Sequence, residues 1–519
     1  DADLQKKAYD MLEERIAGIL LTYMSDTTTN TGSDIMIPIK EYYYALIDNN
    51  VISLSHLSAD DADDREKSFW KDYKNYESSI TSSLDSKMDT ALGELDDEYK
   101  DYLLMTYSML KDKSILNTGD LDDNDETLAK WNDGSISFNE LLDYAITKDI
   151  VNISALNLES DYLDTNEIYQ ALIEYVAQEL PLYEGFEKKA IYYMLESDYI
   201  SGTDICLLLY SQHVLEEDDD YQGLLSGSLS AKNFMYNKIY NLEITPDMLA
   251  LPPCSGSFVL TDINTGKVKA LVSYPGYDAN QINNVSYYAS LINNSSSPLY
   301  NRATQQTLAP GSTFKPISAI AGLEEGVIDA DTYITDYVEY TKVVPHANCW
   351  NSAGHGTINV EQAIEYSCNY FFYEVGYRLG SKNNTTELSD STGLALLAKY
   401  AKMFGLDSVS GLELPETTPR ISDESVVRSA IGQATHNSTA AELARYVTAI
   451  ANSGNLYQLS ILDKITDSEG NVLEENEPNL TNKIELKQST WDMVHTGMYK
   501  VCNESSYRSQ MGGLKVTLA

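Results

Sequence analysis

The sequence is poor in positive charge: 36 lysines and arginines stand against 79 aspartates and glutamates, a formal net charge of −43. Such a surface repels phosphate backbones and anionic lipid heads, which argues against a nucleic-acid binder. Long apolar runs are missing too. Stretches such as Ile205–Tyr210 fall far short of the roughly 18 residues that a membrane-spanning helix needs. The N-terminus lacks the basic, apolar and small-residue order of a secretory leader and opens directly in helical register with Asp1, Leu4, Ala8, Leu12 and Ile16, as expected of a piece of a longer protein. Cysteines are few, at Cys206, Cys254, Cys349, Cys368 and Cys502, and follow neither zinc-ligand nor redox-pair spacing. The six histidines include no i, i+4 pair, which argues against a zinc hydrolase of the HExxH type, and no metal or cofactor is implied. There is no G-x-S-x-G turn of the kind that carries a Ser-His-Asp nucleophile.

What is present is an ordinary globular composition, 43% hydrophobic and 22% charged over 519 residues, enough for about three domains. Residues 1–26 read as an amphipathic helix that Thr27 to Gly32 breaks. Residues 27–245 are rich in Tyr, Leu, Asp and Glu, with helical spacing in Tyr99–Leu110 and Ile168–Tyr175, and predict a mostly helical domain. Its acidic runs, Asp60–Glu66 and Glu216–Asp220, read as solvated loops. After Pro252 and Pro253 the pattern changes to a β-hairpin, Ser257–Ile263 and Lys267–Tyr274 about an Asn-Thr-Gly turn. Helices over 313–325, 361–379, 393–404, 439–453 and 489–502 then alternate with short strands such as Leu456–Ile465, so this half is α+β.

A calcium loop around Asp133, Gly134 and Glu140 fails, because Ala129 and Trp131 occupy positions that need oxygen ligands. Ser137 and Glu140 instead form a capping box that starts a helix at Phe138. Asp120, Asp122 and Asn124 alternate like ligands but lack the glycine and the closing glutamate, and read as a turn.

The strongest chemical signal is Ala309-Pro310-Gly311-Ser312-Thr313-Phe314-Lys315-Pro316. Pro-Gly makes a turn and a helix follows, so Ser312 sits at its N-terminus with Lys315 one turn on, on the same face. A serine hydroxyl becomes nucleophilic when a base takes its proton, and a lysine kept neutral by burial is such a base. S-x-x-K also occurs at Ser68/Lys71 and Ser108/Lys111, where it fits a surface helix. Downstream lies Ser367-Cys368-Asn369, a polar S-x-N between apolar helical runs, read either as a pair of groups facing a cleft or as a cap on the second helix. The triplet recurs at Ser137/Asn139, Ser381/Asn383 and Ser453/Asn455 without that setting.

Together these motifs resemble the penicillin-binding transpeptidases. The likeness extends to the hairpin Gly256–Asp262 and Gly266–Pro275, to Asn301-Arg302-Ala303, to Cys349-Trp350 and His355-Gly356 as in elongation-type class B members, to Phe404-Gly405-Leu406, to Gly411–Pro415, and to Ile431-Gly432-Gln433 with Ala441–Ala444 and Ile450–Gly454. Asp1–Gln5 is similar to that domain's first helix. The resemblance implies an α+β transpeptidase domain, an antiparallel sheet with helices on both faces, from 1–26 and 246–519, with 27–245 inserted. It implies that Ser312 is the nucleophile, Lys315 its base, Ser367 a proton relay and Asn369 a substrate ligand, acting on peptidoglycan stem peptides and acylated by β-lactams. No glycosyltransferase domain precedes it, which points to class B. Further implications are other cell-wall synthesis proteins as partners, and an extracytoplasmic place at a bacterial membrane through an N-terminal anchor missing here. Cys349 and Cys368 should lie close together beside the cleft. Two departures stand out: the family's K-T-G motif is absent, residues 513–519 resembling the strand before it, and Ala434 stands where the family often has glycine. The rival readings are a serine β-lactamase or β-lactam sensor, for which no water-activating base is assigned, and a non-catalytic scaffold whose insertion binds a partner.

Overall fold

The computed structural model describes residues 2–26, 35–120, 125–156, 164–381, 387–506, 508–511, 513, 514, 516 and 518. The expected break at Thr27 to Gly32 lies outside them, as do Asp122, Asn124 and Asn383. The chain divides into two compact units, Asp1–Ile16 with Cys254–Ala519, and Ala17–Pro253. Helix α1 (Ala2–Tyr23) contributes to both: Ala8 joins a small core with Ala270 and Val272, whereas Ala17 and Leu20 belong to the core of the second unit. No helix among the described residues is long and apolar enough to cross a membrane.

The unit 17–253 is helical, with α2 (Ile39–Asp48), α3 (Asp64–Lys87), α4 (Asp97–Asp112), α5 (Phe138–Thr147), α6 (Thr165–Glu179), α7 (Phe186–Glu196), α8 (Gly202–Ser211) and α9 (Ala231–Tyr240). Local chemistry sets the starts: Asp63, Ser137, Asp164 and Ser201 each close a capping box with the residue three on. The apolar run Ile205–Tyr210 is the buried middle of α8, a helix surrounded by protein and therefore lacking a polar face. The acidic runs are not simply solvated loops. Glu66 is buried, accepting from the Asp63 N–H at 2.9 Å and from Gln212 Nε2 at 3.0 Å, and lies 2.7 Å from His56 Nδ1. Asp218 caps the helix Asp219–Ser226 and, with Asp220 and Glu243, surrounds the buried ammonium of Lys238. Burying these charges costs desolvation, which the partners offset.

In the other unit β1 (Gly256–Thr261) pairs antiparallel with β2 (Val268–Tyr274), Gly256 opposite Tyr274. Gly266, at φ +71, makes the turn a side chain would strain. The hairpin is covered on both faces, by Ala8 and its neighbours over Ala270 and Val272, and by Leu412, Ala441 and Leu459 with Val268 and Leu271. The Gln5 side chain bonds both the N–H and the carbonyl of Leu271. The main core gathers α10 (Lys315–Glu324), α11 (Val360–Glu365), α12 (Asn369–Gly380), α13 (Asp390–Met403), α14 (Ala440–Ala451) and α15 (Gln488–Asn503). Three expectations are corrected. The helix expected over 361–379 is two helices, and the strand expected over Leu456–Ile465 is two strands, Asn455–Tyr457 paired with Leu480–Lys483 and Lys464–Thr466 with Val472–Glu475. Nor do the described residues of 513–519 form a strand. The Leu518 carbonyl is bonded by the Asn503 side chain rather than by a ladder partner.

One loop ties this fold to the Ser312 turn. Gly432 lies at φ +72, and a Cβ there would stand 2.0 Å from the Gly311 carbonyl oxygen, whereas Ala434 adopts φ +63 despite its side chain. We expect Gly432→Ala to lose more than about 2 kcal/mol of stability. Ala434→Gly should gain about 0.5 kcal/mol, because relief of a left-handed alanine outweighs the added freedom of the unfolded chain. Urea denaturation of both variants checks the opposite signs.

Candidate active site

Gly311–Phe314 form a single tight 3-10 turn that runs into α10. It is held from three sides: Gly311 N–H donates to the Gly432 carbonyl at 2.9 Å, Tyr446 hydroxyl to the Thr313 carbonyl at 2.9 Å, and Thr313 Oγ1 to the Pro310 carbonyl at 2.7 Å. Spacing then separates the side chains by environment. Ser312 is exposed, while Phe314 and Lys315 are buried, Lys315 to 2% exposure. The other S-x-x-K pairs, on α3 and α4, are exposed at both residues.

Burial drives the Lys315 ammonium down to about 8. Its three hydrogen-bond acceptors come from one turn: the Ser367 carbonyl at 2.6 Å, Ser367 Oγ at 2.9 Å and Asn369 Oδ1 at 2.7 Å. That turn exists because the chain breaks between α11 and α12. Ser367 takes φ +51, its N–H donates to the Ile364 carbonyl at 3.1 Å, and the Cys368 N–H donates to the Ala363 carbonyl at 3.0 Å. The cap of α12 is neither Ser367 nor Asn369 but Cys368, whose sulfur accepts from the Phe371 N–H at 3.4 Å. Both polar members of S-x-N are thereby turned toward Lys315. Ser312, Lys315, Ser367 and Asn369 line one cavity of about 850 Å³, together with Trp350 and Tyr446.

Beneath this turn lies a cluster that the sequence reading left out. Asp336, Cys349, His355 and Cys368 offer ligand atoms all within 4.8 Å of one another. The two sulfurs are 4.0 Å apart as free thiols, and His355 Nδ1 is 2.8 Å from Asp336 Oδ2. The hydrogen bond from Cys368 brings the Cys349 thiol down to about 6 and pushes that of Cys368 up. Burial would raise the Asp336 carboxyl, but the bond from His355 and the Val338 N–H outweigh it and hold it below the usual range. Two thiols, an imidazole and a carboxylate suit zinc, and a tetrahedral site with sulfurs about 2.3 Å from the ion places them about 3.8 Å apart. The expectation of no metal rested on short motif spacing. Here the donors are spread along the chain from Asp336 to Cys368, and only Cys349-x5-His355 followed by Cys368 hinted at them.

The penicillin-binding protein transpeptidase domain family matches residues 256–517. The chain is 30% identical over 274 residues to the peptidoglycan D,D-transpeptidase MrdA of Haemophilus influenzae, covering 48% of this chain and 40% of that protein. To the Escherichia coli MrdA it is 28% identical over 266 residues, 47% of this chain and 40% of the relative. It is 32% identical over 218 residues to the peptidoglycan D,D-transpeptidase PbpA of Mycolicibacterium smegmatis, 39% of this chain and 42% of the relative. The chain thus spans about two fifths of the length of these curated relatives. A match over more than half of its residues, on the domain that holds the Ser312 cleft, places it: the chain belongs to the penicillin-binding protein transpeptidase family.

Proposed function

We propose that the chain carries the acyl-transfer site of a peptidoglycan D,D-transpeptidase, with Ser312 as nucleophile. The observation that carries the reading is a buried lysine, brought near neutrality and bonded three times to the S-x-N turn, one helical turn from an exposed serine. Lys315 in its neutral form takes the Ser312 proton as Oγ bonds to the carbonyl carbon of a terminal D-Ala-D-Ala peptide. The C–N bond breaks, the proton passes through Ser367 Oγ to the leaving amine, and D-Ala departs. An amine of a neighbouring stem then attacks the ester, its proton returns to Ser312 through Lys315, and the cross-link is released. Asn369 orients the substrate amide. A β-lactam follows the first step, but its amine stays tethered to the acyl group and does not leave. Relatives named as peptidoglycan D,D-transpeptidases support the substrate class; we further propose for this chain a cell-wall setting outside the cytoplasm and other cell-wall synthesis proteins as partners. Residues 27–245 are proposed as an insertion that takes no part in acylation.

The donor cluster beside the turn fits a zinc ion held by Asp336, Cys349, His355 and Cys368. Bound there, the ion would supply a structural cross-link. Those four residues fix the chain on either side of Trp350 and at Cys368 between Ser367 and Asn369.

Four outcomes are expected. Labelled penicillin attaches to Ser312 in full-length protein and not to Ser312→Ala, as read by peptide mass spectrometry; label kept in the variant rejects the nucleophile. Lys315→Ala slows acylation by at least about a hundredfold. In the wild type the rate climbs about tenfold per pH unit while Lys315 is protonated and levels off above its pKa of about 8; a flat profile across this range assigns the base elsewhere. Removing metal with a chelator lowers the melting temperature, and zinc restores it in the wild type but not in Cys368→Ser. An unchanged melting curve in both argues against the ion.

A further inference from the structure

We propose that Trp350 is a positioning residue for acylation: its indole N–H holds the Ser367 carbonyl in place while Lys315 exchanges its proton. The inference rests on the functional reading above. Ser367 adopts a left-handed backbone without being glycine, a conformation that persists only where its surroundings hold it. The Ile364 carbonyl fixes its N–H side. Its carbonyl side is fixed from across the cleft, where two lone pairs are both filled, by Lys315 Nζ at 2.6 Å and by Trp350 Nε1 at 3.0 Å.

These two donors differ during turnover. As a neutral base, Lys315 has one N–H fewer and must aim a lone pair at Ser312, so its bond to the Ser367 carbonyl weakens just when the relay has to stay in register. The indole N–H does not titrate. Trp350 therefore keeps the carbonyl satisfied through the step in which the ammonium cannot, and Ser367 Oγ remains in line between Lys315 and the leaving nitrogen. Without the indole the Ser367 carbonyl would rest on Lys315 alone, whose bond to it weakens as the amine turns toward Ser312.

The setting of Trp350 is that of a side chain placed for such a bond. It is 65% exposed, so burial does not explain its position. Its ring instead meets His355 edge-on, with centroids 5.3 Å apart at 61°, and His355 stacks on Tyr366 at 6.0 Å and 5°. The neighbouring Cys349 N–H is anchored to the Val338 carbonyl at 2.7 Å. An exposed indole on a buried platform can lose its N–H with little effect on folding.

The test separates positioning from a mere wall of the cleft. Trp350→Phe keeps a ring on His355 and loses the donor; Trp350→Ala loses both. Stopped-flow acylation of full-length protein by a fluorescent penicillin resolves the initial binding constant from the first-order acylation rate. For W350F we expect that rate to fall about tenfold with the binding constant changed less than about twofold, and a melting temperature within about 2 °C of the wild type. W350A should lose at least as much rate and also bind more weakly. A W350F variant acylated at the wild-type rate, or one whose whole defect lies in binding, overturns the inference while leaving the Ser312 assignment intact. A wild type that is not acylated at Ser312 overturns both. Should W350F melt low, benzothienylalanine at position 350, which keeps the two-ring shape and lacks the N–H, gives the same reading.

Discussion

The catalytic half of this molecule is organised around one costly act, taking a lysine ammonium out of water. A buried amine requires an acceptor for every N–H it retains, and the bonds of the Gly311–Phe314 turn run instead to Gly432, Tyr446 and Pro310. All three acceptors come instead from Ser367 and Asn369. An uninterrupted helix could not present a carbonyl, a hydroxyl and an amide to one nitrogen, because its carbonyls would be spent within it. The chain must break there. The left-handed Ser367 and the sulfur cap at Cys368 are the local form of that break.

The same constraint reaches outward. Gly432 has no room for a side chain because the nucleophile turn presses on it, and the loop beyond it carries a second left-handed residue, Ala434. His436, two residues further, lies against Phe314 with centroids 4.3 Å apart; burial depresses its pKa to about 4, so it stays neutral as a packing element. Cys368 has two structural duties at once, capping α12 and standing in the donor cluster. Its neighbours Ser367 and Asn369 carry the polar contacts to Lys315, so the turn joins two kinds of chemistry within three residues.

Much of this was legible in the sequence because it is local. The i, i+3 spacing of Ser312 and Lys315, the hairpin about Gly266 and the capping box of Ser137 with Glu140 each follow from residues a few positions apart. What stayed hidden depends on distance in sequence. The acidic runs could not be separated from solvated loops without knowing that Gln212 and Lys238 come to meet them. The donor set draws on residues from Asp336 to Cys368 with no repeat to betray it. The break at Ser367 was masked by apolar periodicity on both sides, since periodicity reports burial and not the continuity of the helix. Why Cys368 rather than serine or asparagine caps α12 is legible only once its second set of neighbours is known.

The bond between Gln5 and Leu271 has a consequence beyond holding α1 to the hairpin. By occupying the N–H and the carbonyl of a single β2 residue, the amide of Gln5 imitates one rung of a neighbouring strand. An unpaired strand margin is a template on which another chain can extend a sheet. A side chain that fills one rung leaves an incoming strand without register at that point. One rung of the β2 margin is thereby taken by a side chain of the first helix, a single uncharged residue in a chain of net charge −43.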